Sequence, residues 1–355
     1  MRIATLSDAS AEHTRRWARW FRARGHDLRV WSLEAPLAGL EAEPLPRAPL
    51  PGFLRYPLAL PALERALERF APDLVDAHYV PNYGLLGALL GGRPLSVSAW
   101  GSDLLVLGRR GPLQRARARF VLRRADLVLA DAANLAGAAR ALGAAPAKVH
   151  MIPWGVDLAL FRLPAERERG LIVSARMHEP VYDLETILRA VKPVLECDPR
   201  AHLVVTGDGS LRAALERQAA ALLPAGRWRF AGRLAPGELA TLLTRAEVYL
   251  SASLTDSTSV SLLEAMAAGA VPVVSDIEGN REWVAEGDGA RLFPCGDAAA
   301  LTMALERVLG DAEWAVAARA RNRRVVEERA DRERNLGRIE TLFAGLAGAR
   351  RGGEA

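Results

Sequence analysis

Short apolar runs alternate with amphipathic stretches along almost the whole chain, and the alternation happens twice. In the first half the runs are RIATLS, DLRVWSL, LVDAHY, LSVSAW, DLVLAD and KVHMIP; in the second, GLIVSAR, HLVVTG, WRFAG, EVYLSAS, VPVVSD and ARLFP. Runs of this length, rich in Val, Ile and Leu, read as strands buried on both faces. Between them, 3.6-residue periodicity predicts helices over Thr14–Arg24, Ala59–Phe70, Gln114–Arg124, Asp183–Leu195, Ser210–Leu222, Pro236–Arg245 and Ala298–Leu309. The fold class is therefore α/β, with two parallel sheets. A chain of 355 residues is long enough for two cores. Pro, Gly and a charge run break the pattern in PWGVDLALFRLPAERERG, from Pro153, which reads as the linker. The expected domains are residues 1–157 and 158–330, followed by a charged helical region from 331 to 348. The Pro-rich stretch Glu34–Pro57 reads as a long loop, and the tail ARRGGEA as disordered.

One segment concentrates the chemistry: DSTSVSLLEAMAAGAVPVVSD, Asp256 to Asp276. Thr255, Asp256, Ser257, Thr258 and Ser259 are cap-type residues placed before the apolar helix that starts at Val260, and Gly269 closes it. A helix N-terminus carries free N–H groups and a partial positive charge, which suit a phosphate or a sugar hydroxyl. Glu264, eight residues past Asp256, lies about two turns into the helix and within reach of a ligand at that terminus. A helix-starting turn with a solvated Glu is the competing reading of the same residues.

The segment resembles the Glu-x7-Glu signature of the retaining nucleotide-sugar glycosyltransferases of family four, glycosyl transferases group 1. The resemblance implies the GT-B fold: two Rossmann-like domains facing across a cleft, with the C-terminal helix crossing back to the first. Glu264 matches the second Glu, which in that family holds the ribose. Asp256 stands where the first Glu is expected, near the donor sugar. Thr258 and Ser259 replace a Phe-Gly pair, and Ser257 and Val260 flank them. In SARMHEPVYDLETIL, Arg176 matches the Arg that clamps the donor diphosphate, whereas the family's Lys is missing: Val181 or Tyr182 takes its place, and His178 is a substitute cation. GDGS, with Gly207 and Gly209, matches a turn whose glycines let backbone approach the nucleotide, and AGRL, with Arg233 and Leu234, matches the segment that reads the base. The resemblance implies a catalytic set of His78, Asp256 and Arg176.

In the first half, a strand's carboxyl end in an open parallel sheet is where ligands bind. Asp8 and His13 follow the first strand in SDASAEHTRRW, with Ser10 as an N-cap in the alternative reading. His78 ends LVDAHY, where it either touches the reacting sugar or is a satisfied core histidine. In SAWGSD, Gly101 permits a tight turn, Ser102 and Asp103 face the acceptor, and Trp100 stands where the family often has a His.

Charge adds a partner. Residues 1–157 hold 21 basic and 14 acidic residues, a net +7, against 26 and 28, a net −2, in the remainder. Arg15, Arg16, Arg19, Arg22 and Arg24 interleave with Trp17, Trp20 and Phe21 on one helix; Arg109, Arg110, Arg115, Arg117 and Arg119 cluster on another stretch. No nucleic-acid motif accompanies them, so an anionic membrane or a lipid-phosphate acceptor is the expected partner. Because Trp17 and Phe21 lie four apart, part of the stripe is also expected to pack on the sheet. Nothing resembles a signal peptide, no apolar run spans a bilayer, and Cys197 and Cys295 read as free thiols of a reducing cytoplasm. The sequence reading is thus a cytoplasmic enzyme, peripheral on the inner face of the membrane, that moves a sugar from a nucleotide diphosphate sugar to a glycan or lipid-linked acceptor. No metal and no further cofactor are expected. A non-catalytic nucleotide-sugar or glycan-binding protein, and a sugar-nucleotide epimerase of the same fold, stay open beside it.

Overall fold

The computed structural model describes residues 1–47, 54–106, 111–163 and 167–353. The chain divides into two units: Met1–Ile152 with Gly337–Ala355, and Pro153–Leu336. Among the described residues each unit holds one seven-stranded sheet.

The first sheet comprises β1 (Arg2–Leu6), β2 (Asp27–Ser32), β3 (Glu43–Pro44), β4 (Leu74–His78), β5 (Leu95–Ser98), β6 (Leu127–Ala130) and β7 (Val149–Met151). The order is β3-β2-β1-β4-β5-β6-β7, parallel throughout. The second comprises β8 (Leu171–Ala175), β9 (His202–Thr206), β10 (Trp228–Gly232), β11 (Val248–Ser251), β12 (Val271–Ser275), β13 (Ala285–Glu286) and β14 (Gly289–Phe293). Its order is β10-β9-β8-β11-β12-β14-β13. In both sheets the chain winds outward from the first strand, then returns to start again on its other side. This reversal opens a crevice beyond the carboxyl ends of β1 and β4, and of β8 and β11.

The period-2 alternation of side chains builds two cores on the second sheet. Ile172, Leu203, Val205, Leu250 and Val273 bury against the helix Leu184–Cys197 on one face. Leu171, Val173, Val204, Tyr249 and Val274 bury on the other, with Leu262, Leu263 and Met266 of the helix Val260–Ala268. Each fully buried side chain of this size contributes roughly 1.5–3 kcal/mol.

Every sequence-predicted strand forms. Two two-residue strands, β3 and β13, lie at the sheet edges and are too short for periodicity to announce. The stretch expected as an open loop contains β3 and the helix Arg55–Leu58, while residues 48–53 within it lie outside the described residues. The linker expected at Pro153 belongs to the second unit: Val156 N–H bonds Ala330 O at 2.8 Å, and Arg332 N–H bonds Val156 O at 3.2 Å. The tail expected to be disordered is helical as far as Gly353, at the end of the helix Arg332–Gly353. Its residues from Gly337 onward belong to the first unit. There Phe343 is fully buried, its ring 5.6 Å from Phe21 and 6.1 Å from Trp17, and Glu340 pairs with Arg24 at 2.8 Å and His26 at 2.6 Å. The aromatic stripe of the helix Glu12–Ala23 thus packs on the terminal helix. Among the described residues no helix is long and apolar enough to cross a membrane.

Candidate functional site

In the second unit, the loops after β8, β9, β10 and β11 form one continuous rim. His178 N–H bonds Asp208 O at 3.0 Å, Gly207 N–H bonds Gly232 O at 2.8 Å, and Leu254 N–H bonds Val181 O at 2.8 Å. The glycines of the GDGS turn explain this packing. A Cβ on Gly207 would run into the carbonyl of Arg176, and one on Gly209 would lie 2.5 Å from that of His178. These glycines permit a close approach of the neighbouring loop. Arg233 is exposed and Leu234 half-buried just past β10, at the sheet's edge.

At the crevice between β8 and β11, Arg176 is buried, and its guanidinium sits at the N-terminus of the helix Val260–Ala268. It donates to Ser259 Oγ at 2.5 Å, to Ser261 Oγ at 3.1 Å and to Asp256 Oδ2 at 2.5 Å. Its Cζ lies over the Tyr182 ring, 4.3 Å from the ring centre. Burial, the largest single influence, pulls the guanidinium's pKa down, but the Asp256 carboxylate together with Tyr249 and Tyr182 outweighs it, and the net shift is upward. Ser259 is the N-cap, accepting from Leu262 N–H at 3.3 Å. The Asp256–Ser259 loop is pinned from behind. Gly279 lets the next loop press against the Asp256 and Ser257 carbonyls, Trp283 Nε1 donates to Thr258 Oγ1 at 3.3 Å, and Ser275 Oγ donates to Ser253 O at 2.6 Å. Glu264 lies in the second turn of the helix, 3 % exposed. The carboxyl end of that helix is closed by Arg167, which donates to Ala268 O, and Arg323, which donates to Ala267 O.

Sequence reasoning missed Tyr182 as the aromatic partner of Arg176, Ser261 as an acceptor for it, Tyr249, whose hydroxyl meets Ser261 Oγ at 2.7 Å, and Gly279 and Trp283, which back the Asp256–Ser259 loop. Tyr182 was visible only as the residue standing where a Lys was expected. At His178, the substitute cation expected from the sequence, burial disfavours the imidazolium and lowers its pKa.

In the first unit, His78 is fully buried. Its Nδ1 meets Ser7 Oγ at 3.0 Å and its Nε2 meets Asp76 Oδ2 at 3.0 Å, the satisfied arrangement of an interior histidine. Asp103 is also fully buried, accepting from the backbone N–H groups of Val80, Trp100 and Leu104 at 2.9, 3.1 and 3.0 Å. Desolvation pushes its carboxyl up to about 6 against the pull of those bonds. Asp103 therefore pins the loops after β4 and β5, and does not face solvent. Ser102 is exposed, its Oγ 3.3 Å from Tyr79 OH. Asp8 folds back on Ser10, accepting from its N–H at 2.8 Å; Ala11, not Ser10, holds the N-cap position. His13 is half-exposed, 5.7 Å from the Trp100 ring. Tyr79 has φ +70°, a left-handed conformation that costs a non-glycine residue about 1–2 kcal/mol. Arg109 and Arg110 lie outside the described residues.

Two doubly wound parallel sheets, the second with a buried arginine at a helix N-terminus in its crevice, define the class of GT-B nucleotide-sugar-handling proteins. Residues 10–160 match the model of Glycosyltransferase Family 4, and residues 159–325 match that of Glycosyl transferases group 1. The chain belongs to glycosyltransferase family four. It is similar to the phosphatidyl-myo-inositol mannosyltransferase of Mycolicibacterium smegmatis, 33% identical over 168 residues, which cover 45% of this chain and 42% of the relative. It is similar also to the alpha-monoglucosyldiacylglycerol synthase of Streptococcus pneumoniae, 28% identical over 140 residues, 35% of this chain and 32% of the relative. The chain thus spans less than half the length of these curated relatives. Among solved structures, HepE of Anabaena in complex with UDP and glucose superimposes with a TM-score of 0.81 at 18% identity, over 96% of this chain and 99% of that one. The sucrose-phosphate synthase of Thermosynechococcus elongatus gives 0.85 at 19% identity, over 98% and 99%. These two share the fold.

Proposed function

We propose that the protein transfers a hexosyl group from a nucleoside diphosphate sugar to a hydroxyl of a lipid-linked acceptor, with retention of anomeric configuration. The observation that carries this reading is Arg176, buried at the N-terminus of the helix Val260–Ala268 in the crevice of the second sheet. As the glycosidic bond breaks, negative charge grows on the leaving diphosphate. A fixed guanidinium and helix N–H groups stabilise that charge without reorganisation. Asp256 holds the guanidinium at its present angle, and Glu264 is the group for the ribose. Fixed cationic charge at this point supports a metal-independent reaction, in which a chelator leaves turnover unchanged.

The lipid-linked acceptor is supported by the relatives, whose names specify phosphatidyl-myo-inositol and a glucosyldiacylglycerol. Arg15, Arg19 and Arg22 line a groove of about 580 Å³ with Gly39, Leu40 and one acidic residue, Glu41, a net basic surface suited to an anionic leaflet. That surface is weaker than the sequence count suggests. Glu12 neutralises Arg15 and Arg16 at 2.7 and 3.0 Å, and Glu340 engages Arg24. A second reading, binding without transfer, is favoured by the same Arg176–Asp256 pair, because it sets a carboxylate where a phosphate would go.

The test is a thermal-shift panel of nucleoside diphosphates and their sugars, followed by nucleotide release from whichever sugar binds. Stabilisation by RT ln(1 + [L]/Kd), about 2.7 kcal/mol at a hundredfold excess, identifies the donor. Nucleotide release from that donor supports transfer. Binding with no release in the presence of phosphatidylinositol or diacylglycerol vesicles selects the second reading.

A further inference from the structure

In the free protein the guanidinium of Arg176 is already in use. Its two terminal nitrogens serve Ser259 Oγ, Ser261 Oγ and Asp256 Oδ2, and its Cζ lies over the ring of Tyr182. The groups behind these contacts are fixed. Ser261 Oγ meets the hydroxyl of Tyr249, a fully buried residue of β11, at 2.7 Å. Tyr182 sits in the turn Pro180–Tyr182, where the Val181 carbonyl accepts from Leu254 N–H at 2.8 Å. The arginine cannot swing aside without losing an aromatic face and two serines. Asp256 is held differently. The loop of Gly279 presses on its carbonyl and fixes its backbone, but its side chain keeps 18% of its surface exposed, against 8% for Arg176. Its other oxygen, Oδ1, accepts from Ser257 N–H at 3.0 Å. The partner able to turn away is therefore the carboxylate. The guanidinium also has capacity that the carboxylate leaves unused: Arg176 Nε is buried and makes no hydrogen bond among the described residues. An orphaned buried donor beside a helix N-terminus is completed by a ligand that brings several acceptor oxygens.

We propose that Asp256 is an exchangeable counterion: the donor's diphosphate displaces it from Arg176, and until then the protein holds its phosphate clamp shut with its own carboxylate. The identity of the displacing group rests on the transferase reading above, and the experiment separates the two. A carboxylate brings one negative charge and two oxygens. A sugar-linked diphosphate brings two charges and phosphate oxygens that the planar arginine fork matches. The exchange keeps the guanidinium neutralised before and after, as a buried cation requires. It also lowers affinity. The diphosphate meets Arg176 only in the fraction of molecules whose ion pair is open, and its apparent dissociation constant rises by the inverse of that fraction. A ligand without phosphate is not subject to this penalty.

Calorimetric titration of the full chain would use UDP, GDP and ADP as probes, with uridine, guanosine and adenosine as phosphate-free controls. Asp256→Asn should tighten the diphosphate that binds by about tenfold or more, the factor by which the closed pair outweighs the open one. Binding of the matching nucleoside should stay within about threefold of the wild type, since it meets no closed clamp. In an Arg176→Gln background the same substitution should change diphosphate binding by less than about threefold, because no clamp is left to open. If Asp256→Asn alone does not melt cooperatively, the diphosphate should restore a cooperative melt by supplying the missing counterion, and the nucleoside should not. Unchanged or weaker diphosphate binding by Asp256→Asn overturns the exchange while leaving the transferase reading untouched. A gain that persists in the Arg176→Gln background also overturns it, since it then reflects only the loss of a negative charge near the ligand. A gain that requires Arg176, in a protein that releases no nucleotide from any sugar donor, keeps the exchange and removes the transferase. Binding of no diphosphate by either protein removes both.

Discussion

Arg176 and Asp256 are each other's counterions across 80 positions of sequence, and this pairing decides what either can do. The charge of each is needed to keep the other inside a mostly buried site; the Asp256 side chain is only 18% exposed. Arg176→Ala should cost on the order of 3 kcal/mol in urea denaturation, because a carboxylate is left without its partner. Adding Asp256→Asn to Arg176→Ala should recover part of that loss, with a coupling of roughly 1–3 kcal/mol. Additive costs would show that the two side chains do not act as a pair. Glu264 offers a separate test of the donor reading. Glu264→Gln should weaken binding of the nucleoside diphosphate by about 1.5–3 kcal/mol in calorimetric titration, with the melting temperature of the free protein little altered. The chain announced the position of both carboxylates, through cap-type residues followed by an apolar helix. It could not announce the ion pair, because the arginine comes from the end of β8 and the carboxylate from the loop after β11, brought together only by the winding order of the sheet: Arg176 is the first residue past β8.

At the scale of elements, the loops are where legibility failed. Periodicity located the strands because most of them are buried on both faces, and Gly269 and Ser259 marked the ends of one helix. Which way a loop residue turns depends on its neighbours in space. Gly207 and Gly209, read from the sequence as a nucleotide turn, also give the room that the carbonyls of Arg176 and His178 need. Asp103 looked like an acceptor ligand and proved to be the clasp of two loops. The clasp has a pH signature. With the carboxyl raised from 3.8 to about 6 by burial, the folded state holds the proton more tightly than the unfolded chain. Its contribution to stability is full below about pH 3.8 and lost as the pH rises through about 6. Asp103→Asn should therefore lose less stability than the wild type between pH 4 and 7, read as the urea midpoint at each pH. A constant offset is expected as well, since one amide oxygen must replace two carboxylate oxygens that serve three N–H groups. Parallel pH profiles for the two proteins would count against a protonated Asp103.

Over the whole molecule, the terminal helix belongs to the first unit by its aromatic contacts; the family resemblance implied its return, while its own sequence showed only a charged helical stretch. Phe343 is fully buried between Trp17 and Phe21. Phe343→Ala should cost about 3–5 kcal/mol through lost contacts and the cavity left behind. The stabilisation that a nucleoside diphosphate gives the second unit should be preserved. A variant that loses nucleotide binding along with its first-unit core would mean that the two units do not fold independently.

The chain leaves the first unit at Ile152 and re-enters it at Gly337. The second unit is thus an insertion within the first, and synthesis runs in that order. A ribosome completes all of Pro153–Leu336 before the segment carrying Glu340 and Phe343 emerges. At about 5–20 residues per second, the 184 residues in between impose a delay on the order of 10–40 s. For that interval Trp17 and Phe21 of the nascent first unit lack the terminal ring that will cover them. The half of the protein that is made first is the half that finishes folding last, and its exposed aromatic stripe is what a chaperone would meet in the meantime.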